Sequence, residues 1–133
     1  MAQSQTHQEI EATLGQVPSW MGSIADPATD HSWGIFRDLI LGETELSARE
    51  KAIAGLAVAS AIKCPYCVHF HTEEAKLAGV TDSELEETAT LAGTTTYFST
   101  VLHGNDTDLD QFVEETGEIV DHLKDQEAAA ADD

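Results

Sequence analysis

The segment Cys64-Pro-Tyr-Cys67-Val-His-Phe-His71 holds the residue types best suited to chemistry in this chain. Two cysteines separated by two residues can close a small disulfide. Where such a pair opens a helix, unpaired backbone N–H groups and the positive end of the helix dipole stabilise a thiolate. That help matters, because an unperturbed thiol with a pKa of about 8.5 is only about 3% ionised at neutral pH. On a regular helix Cys64, Cys67 and His71 fall within an arc of about 60°, which puts the imidazole within reach of Cys67 one turn away. His69 points to the opposite side. The set supplies a nucleophile, a resolving partner and a base able to move a proton near neutral pH, which are the parts of a thiol redox centre.

Two other readings use the same residues. Cys64, Cys67 and His71 are zinc-ligand types, and the chain would then be a small oligomeric zinc-binding or interaction domain without turnover. A closed zinc site needs a fourth ligand, which His103 or a partner chain would have to supply because there is no second cysteine pair. Alternatively the pair is buried and inert. No Gly-rich phosphate loop, HExxH or nucleophilic-serine motif is present, so no cofactor is expected.

The elements that must position this segment read as helices throughout, with no alternating strand pattern. Thr6 is placed to cap a first helix reaching Leu14, and Gly15 with Pro18 ends it. A loop follows, and a second helix starts at Pro27 or Asp30, carries Trp33, Phe36, Leu39 and Ile40 on one stripe, and closes at Gly42. Ser47-Ala-Arg-Glu50 is a capping box opening a small, apolar helix that Cys64-Pro65 interrupts. Pro65 suits the first turn of a new helix with Cys64 at its cap, and that helix stops near Gly79. Thr81-Asp-Ser-Glu84 is a second capping box, starting a helix to about Leu102 whose middle is weakened by Thr94-Thr95-Thr96. A last helix starts near Asp108. The expectation is one all-α domain over residues 1–124, a bundle of five to seven helices, followed by a frayed acidic tail over 125–133. Trp20, Trp33, Phe36, Tyr97 and Phe98 read as core or subunit-interface anchors.

Residues Leu46 to Gly79, LSAREKAIAGLAVASAIKCPYCVHFHTEEAKLAG, resemble the signature region of the carboxymuconolactone decarboxylase-like superfamily, on its alkylhydroperoxidase D side. The Ala-rich helix feeding into C-x-x-C-x-x-x-H carries the likeness, which extends over about residues 33–104 and includes the later TYFSTVLHG segment. The resemblance implies an all-helical protomer that assembles into homo-oligomers, trimers or hexamers. It also implies a thiol-dependent peroxidase or disulfide oxidoreductase that takes a hydroperoxide or a partner disulfide and is recharged by a dithiol electron donor. Carried onto this chain, Cys67 is the peroxide-reactive cysteine, Cys64 its disulfide partner and His71 the histidine of a proton relay. Decarboxylase-side members generally lack the cysteine pair, so its presence argues against lactone decarboxylation. In the family's peroxidase the relay begins at a glutamate twelve positions before the first cysteine, and that position here is Ala52. Glu50 lies two residues earlier, about 200° around a regular helix. It is first the acidic member of the Ser47 capping box and, beside that, a candidate for the relay. The histidine between that peroxidase's cysteines is replaced by Tyr66.

Composition bounds the partners. Of 133 residues, 25 are acidic and 6 basic, giving a net charge of −19, while 41% are hydrophobic. A chain of this length suits a single domain burying roughly two-thirds of its unfolded surface. Its acidity repels phosphate backbones and anionic headgroups, so neither nucleic acid nor a membrane surface is an expected partner. Ile53 to Ile62, the longest apolar stretch, is too short to span a bilayer, and the N-terminus lacks the pattern of a secretory signal. A cytoplasmic protein with cysteines reduced at rest is expected. So few lysines and arginines resemble the halophilic pattern, in which carboxylates hold a hydrated coat and salt screens their repulsion. No charged residue lies between Lys51 and Lys63, and no acidic one from Lys63 to Phe70, so the coat surrounds a neutral thiol segment. The unfolding midpoint is therefore expected to rise from low to multimolar KCl; a flat midpoint would remove the halophile reading.

Overall fold

The structure, a computed structural model, describes residues 2–131. Among the described residues every regular element is helical: α1 (Ala2–Leu14), α2 (Ser19–Gly22), α3 (Asp26–Ile35), a π-helical turn (Phe36–Leu41), α4 (Ala48–Ile62), α5 (Pro65–Leu77), α6 (Asp82–Gly104) and α7 (Leu109–Ala131). The expected all-α class and helix number hold. The chain divides into two compact units, Met1–Leu91 and Ala92–Asp133.

In the first unit, α4 and α5 form the hairpin that carries the cysteines. The Ser47 box is complete: the Glu50 N–H donates to Ser47 Oγ at 3.1 Å, and the Ser47 N–H donates to Glu50 Oε2 at 2.7 Å. The helix ends where Lys63 adopts a left-handed conformation (φ 59°), which lets the Cys64 N–H reach back to the Ala59 carbonyl at 3.1 Å. Cys64 then caps α5, with Pro65 in the first turn where no N–H is needed. Small side chains let α4 and α5 approach closely. Ala52 and Ala75 are wholly buried in a cluster with Val80, flanked by Ile53 and Leu85.

A second cluster, Ile10, Met21, Trp33 and Phe36, joins α1, α2 and α3, with Leu14, Val17 and Ile40 around it. Two cations of α4 tie it to its neighbours. Lys51 Nζ donates to the carbonyls of Leu39 at 2.6 Å and Gly42 at 2.8 Å, satisfying acceptors that the end of the π-helical turn leaves open. Arg49 donates to the Gly79 carbonyl at 3.0 Å and pairs with Glu84, which belongs to the Thr81 capping box at the start of α6.

Several local expectations are corrected. Thr6 is not a cap: α1 begins before it, and its buried hydroxyl donates to Asp30 Oδ1 at 2.5 Å, joining α1 to α3. The loop before Pro27 contains the short helix α2, and the Trp33–Ile40 stripe passes from α-helix into the wider π-helical turn. Trp33 and Phe36 are core residues as expected, whereas Trp20, Tyr97 and Phe98 are more than half exposed.

Within the second unit, α6 continues through the three threonines. The hydroxyls of Thr96 and Thr100 donate to the carbonyls of Ala92 and Thr96 at 2.9 Å each, so these polar groups join the helix's own ladder. Asp108 Oδ1 caps α7 by accepting the Gln111 N–H at 2.7 Å. Residues 125–131, read from sequence as the start of a frayed tail, form the last turns of α7, where Gln, Glu and Ala favour helix. Leu109, Phe112, Val113, Ile119, Val120 and Leu123 of that helix are exposed. No helix among the described residues is long and apolar enough to cross a membrane.

Candidate active site

Cys64 and Cys67 are joined as a disulfide at the N-terminus of α5, with Cα atoms 5.3 Å apart. The Cys67 N–H points at Cys64 Sγ at 3.2 Å, so one backbone donor of the helix N-terminus is directed at the capping sulfur. The two sulfurs are not equivalent. Cys67 lines a cavity of about 510 Å³ whose other walls are Trp20, Phe36, Ile40, Tyr66, Phe70 and His71, and Cys64 is not among its lining residues. Apart from the imidazole and the Cys67 sulfur, the walls are almost entirely hydrocarbon and aromatic.

Ring contacts build that wall from the core outward. Phe36 stacks on Trp33 with centroids 6.1 Å apart, meets Trp20 at 5.8 Å, and meets Phe70 of α5 at 5.8 Å. Phe70 in turn packs nearly perpendicular to His71, with ring centroids 5.2 Å apart. The buried cluster of α1–α3 thus reaches the imidazole through a continuous chain of aromatic rings.

His71 stands one turn beyond Cys67 on α5 and also lines a second cavity of about 440 Å³ with Lys51, Ala54 and Glu74. Its Nδ1 lies 3.1 Å from Glu74 Oε1. Across from it is Gly55 of α4. A Cβ placed on Gly55 would overlap the imidazole, falling 2.7 Å from Nε2, so only glycine leaves room for the ring in this position.

The other sequence candidates take different places. Glu50 is held at the first turn of α4 by the backbone and hydroxyl of Ser47, which keep its carboxyl below the usual carboxylate range. That lowers its proton affinity, the reverse of what a neutral-pH base needs. Ala52, standing where the family's relay glutamate would be, is packed in the α4–α5 core. Tyr66 is 85% exposed at the rim, and His69 is exposed. His103 lies in the last turn of α6. No group of three or more His, Cys, Asp or Glu side chains among the described residues is placed to share a metal ion.

The carboxymuconolactone decarboxylase family model matches residues 27–105, more than half of the sequence. The chain belongs to this family. The matched span runs from α3 through α6 and contains the cysteine pair, His71, Gly55 and Glu74. Over 83% of its length this family member resembles the crystal structure of the alkylhydroperoxidase AhpD core from Rhodospirillum rubrum, with a TM-score of 0.70, 25% identity and 84% of that chain covered. The fold is thus that of the family's alkylhydroperoxidase D-like branch. No curated protein matches.

Two residues beside the ring are legible only in part from the sequence. Glu74 is three residues from His71, a spacing at which helix side chains meet, yet nothing in the sequence singles it out from the adjacent Glu73. Gly55 reads as one more small residue in an Ala-rich helix until the ring it faces is known.

Proposed function

We propose that this family member is a thiol-dependent peroxidase or disulfide oxidoreductase working through Cys64 and Cys67. The observation that carries this reading is that Cys67, rather than Cys64, shares an apolar cavity with His71 beside the helix N-terminus. In the reduced protein, His71 takes the proton of the Cys67 thiol. The thiolate attacks the terminal oxygen of a hydroperoxide, the O–O bond breaks, and Cys67 becomes a sulfenic acid while the alkoxide leaves and is protonated to an alcohol. The Cys64 thiol then displaces water from that sulfur, closing the disulfide seen here. A dithiol donor returns two electrons by thiol–disulfide exchange. With a partner disulfide as oxidant, the same thiolate forms a mixed disulfide that Cys64 resolves.

The disulfide itself favours this reading over a zinc-binding domain, since both thiols are engaged with each other. The experiment is dithiol-dependent consumption of an organic hydroperoxide or an aromatic disulfide by purified protein in high salt. Turnover with either oxidant supports the proposal. Absence of turnover with both, together with stoichiometric zinc on the cysteines after chelator-free purification, would replace it by the zinc reading.

The exposed apolar residues of α7 support the homo-oligomer that the family resemblance implies, as trimers or hexamers. Light scattering in molar KCl is expected to give a multiple of the chain mass, and a stable monomer would refute it.

A further inference from the structure

Glu74 is the carboxylate that touches the imidazole. Its Oε1 lies 3.1 Å from His71 Nδ1, and the two side chains are 18% and 22% exposed. The other charged groups near the ring have different partners or none at hydrogen-bonding distance from it. Lys51, which lines the neighbouring cavity, donates to the Leu39 and Gly42 carbonyls; Glu45 shares only that cavity wall; Glu50 is bound to Ser47; Glu73 faces Lys76 at 3.5 Å.

We propose that Glu74 is the positioning residue of His71: it accepts a hydrogen bond from Nδ1–H and so leaves Nε2 as the lone-pair nitrogen that takes the Cys67 proton. The reasoning is one of tautomers. A neutral imidazole donates from one nitrogen and accepts at the other, and an ionised carboxylate can only accept, so whichever nitrogen it meets must carry the proton. Gly55 closes against the Cε1 edge of the ring, between its two nitrogens, and Phe70 packs nearly perpendicular to it, so the imidazole is held in place while the carboxylate selects its tautomer. In this chain, Glu74 does from the C-terminal side of His71 what Ala52 cannot do from α4. The inference rests on Cys67 being the attacking thiol and deepens that reading.

The test uses histidine labelled with nitrogen-15 in the full-length reduced protein, with His71 signals identified by their loss in His71→Asn. The parent is expected to carry its ring proton on Nδ1. In Glu74→Ala that proton moves to Nε2, at least in part, and alkylation of Cys67 by iodoacetamide, measured in a Cys64→Ser background, slows about tenfold. Glu74→Gln, whose amide oxygen can accept from Nδ1, keeps the parent tautomer and provides the measurement should the alanine variant not fold. An Nε2–H tautomer in the parent overturns the proposal, as does an unchanged tautomer or an unchanged alkylation rate in Glu74→Ala. The tautomer is read without substrate, so failure of the peroxidase reading shows separately, as an intact Nδ1–H form in a protein that no oxidant converts.

Discussion

Replacing Cys67 by serine is expected to lower dithiol-dependent turnover at least about a thousandfold, because a serine hydroxyl at the same place is neither ionised at neutral pH nor soft enough to attack peroxide oxygen or disulfide sulfur. Cys64→Ser differs in kind. Its Cys67 thiolate still faces the aromatic cavity beside His71, so the first oxidation proceeds, but the sulfenic acid or mixed disulfide has no neighbour to resolve it. Without the dithiol, one equivalent of oxidant is then consumed and oxidation stops; with it, resolution falls to the slower external thiol. The asymmetry between the two variants follows from where the sulfurs stand, one lining the cavity and the other capping the helix. Parent-like turnover in Cys67→Ser would remove the assignment.

The second large effect is expected at a residue with no side chain. Gly55 lies inside α4, where glycine costs about 1 kcal/mol against alanine, so Gly55→Ala would stabilise an unencumbered helix. Here the added methyl occupies the space of the imidazole, and the ring is the part that can move. Displacing it offsets the helix gain with an overpacking cost of about 1–3 kcal/mol. Unfolding should therefore change little, while loss of the aligned base lowers turnover about a hundredfold. Gly117→Ala, in α7 with open space around its Cβ, is the control that gains helix propensity and keeps parent activity. Equal activity in Gly55→Ala and the parent would show that the His71 ring position does not govern the rate.

These two predictions mark the boundary of what the sequence made legible. The cysteine spacing, Pro65 in the first turn, both capping boxes and the Ala-rich helix each act through local rules, and each stands where those rules put it. The burial of Thr6 depends on a contact between α1 and α3, 24 residues apart, which no short window records. The same distinction runs through the site. Cys64, Cys67 and His71 announce themselves by type and spacing along one helix. Gly55, Glu74 and the Trp20–Phe36–Phe70 wall matter through what they touch, and three of these come from other helices. Glu50 shows the converse: a carboxylate with a plausible spacing is spent on its own helix cap, where the Ser47 N–H holds it ionised.

The high acidity fits this division. Carboxylates crowd the chain on either side of the thiol segment, but the one placed against the site is Glu74, and it meets the imidazole rather than a sulfur. A reduced Cys67 thus forms its anion in a cavity lined by hydrocarbon, aromatic rings and the His71 imidazole, without a carboxylate in its lining to oppose it.

The most direct measurement is to locate the first site of oxidation. Reduced Cys64→Ser and Cys67→Ser proteins, held in high salt, would each receive an organic hydroperoxide with a sulfenic-acid trap, or an aromatic disulfide, and be mapped by peptide mass analysis. An adduct is expected on Cys67 in Cys64→Ser and none on Cys64 in Cys67→Ser. An adduct on Cys64, or no adduct on Cys67 with either oxidant, would contradict it.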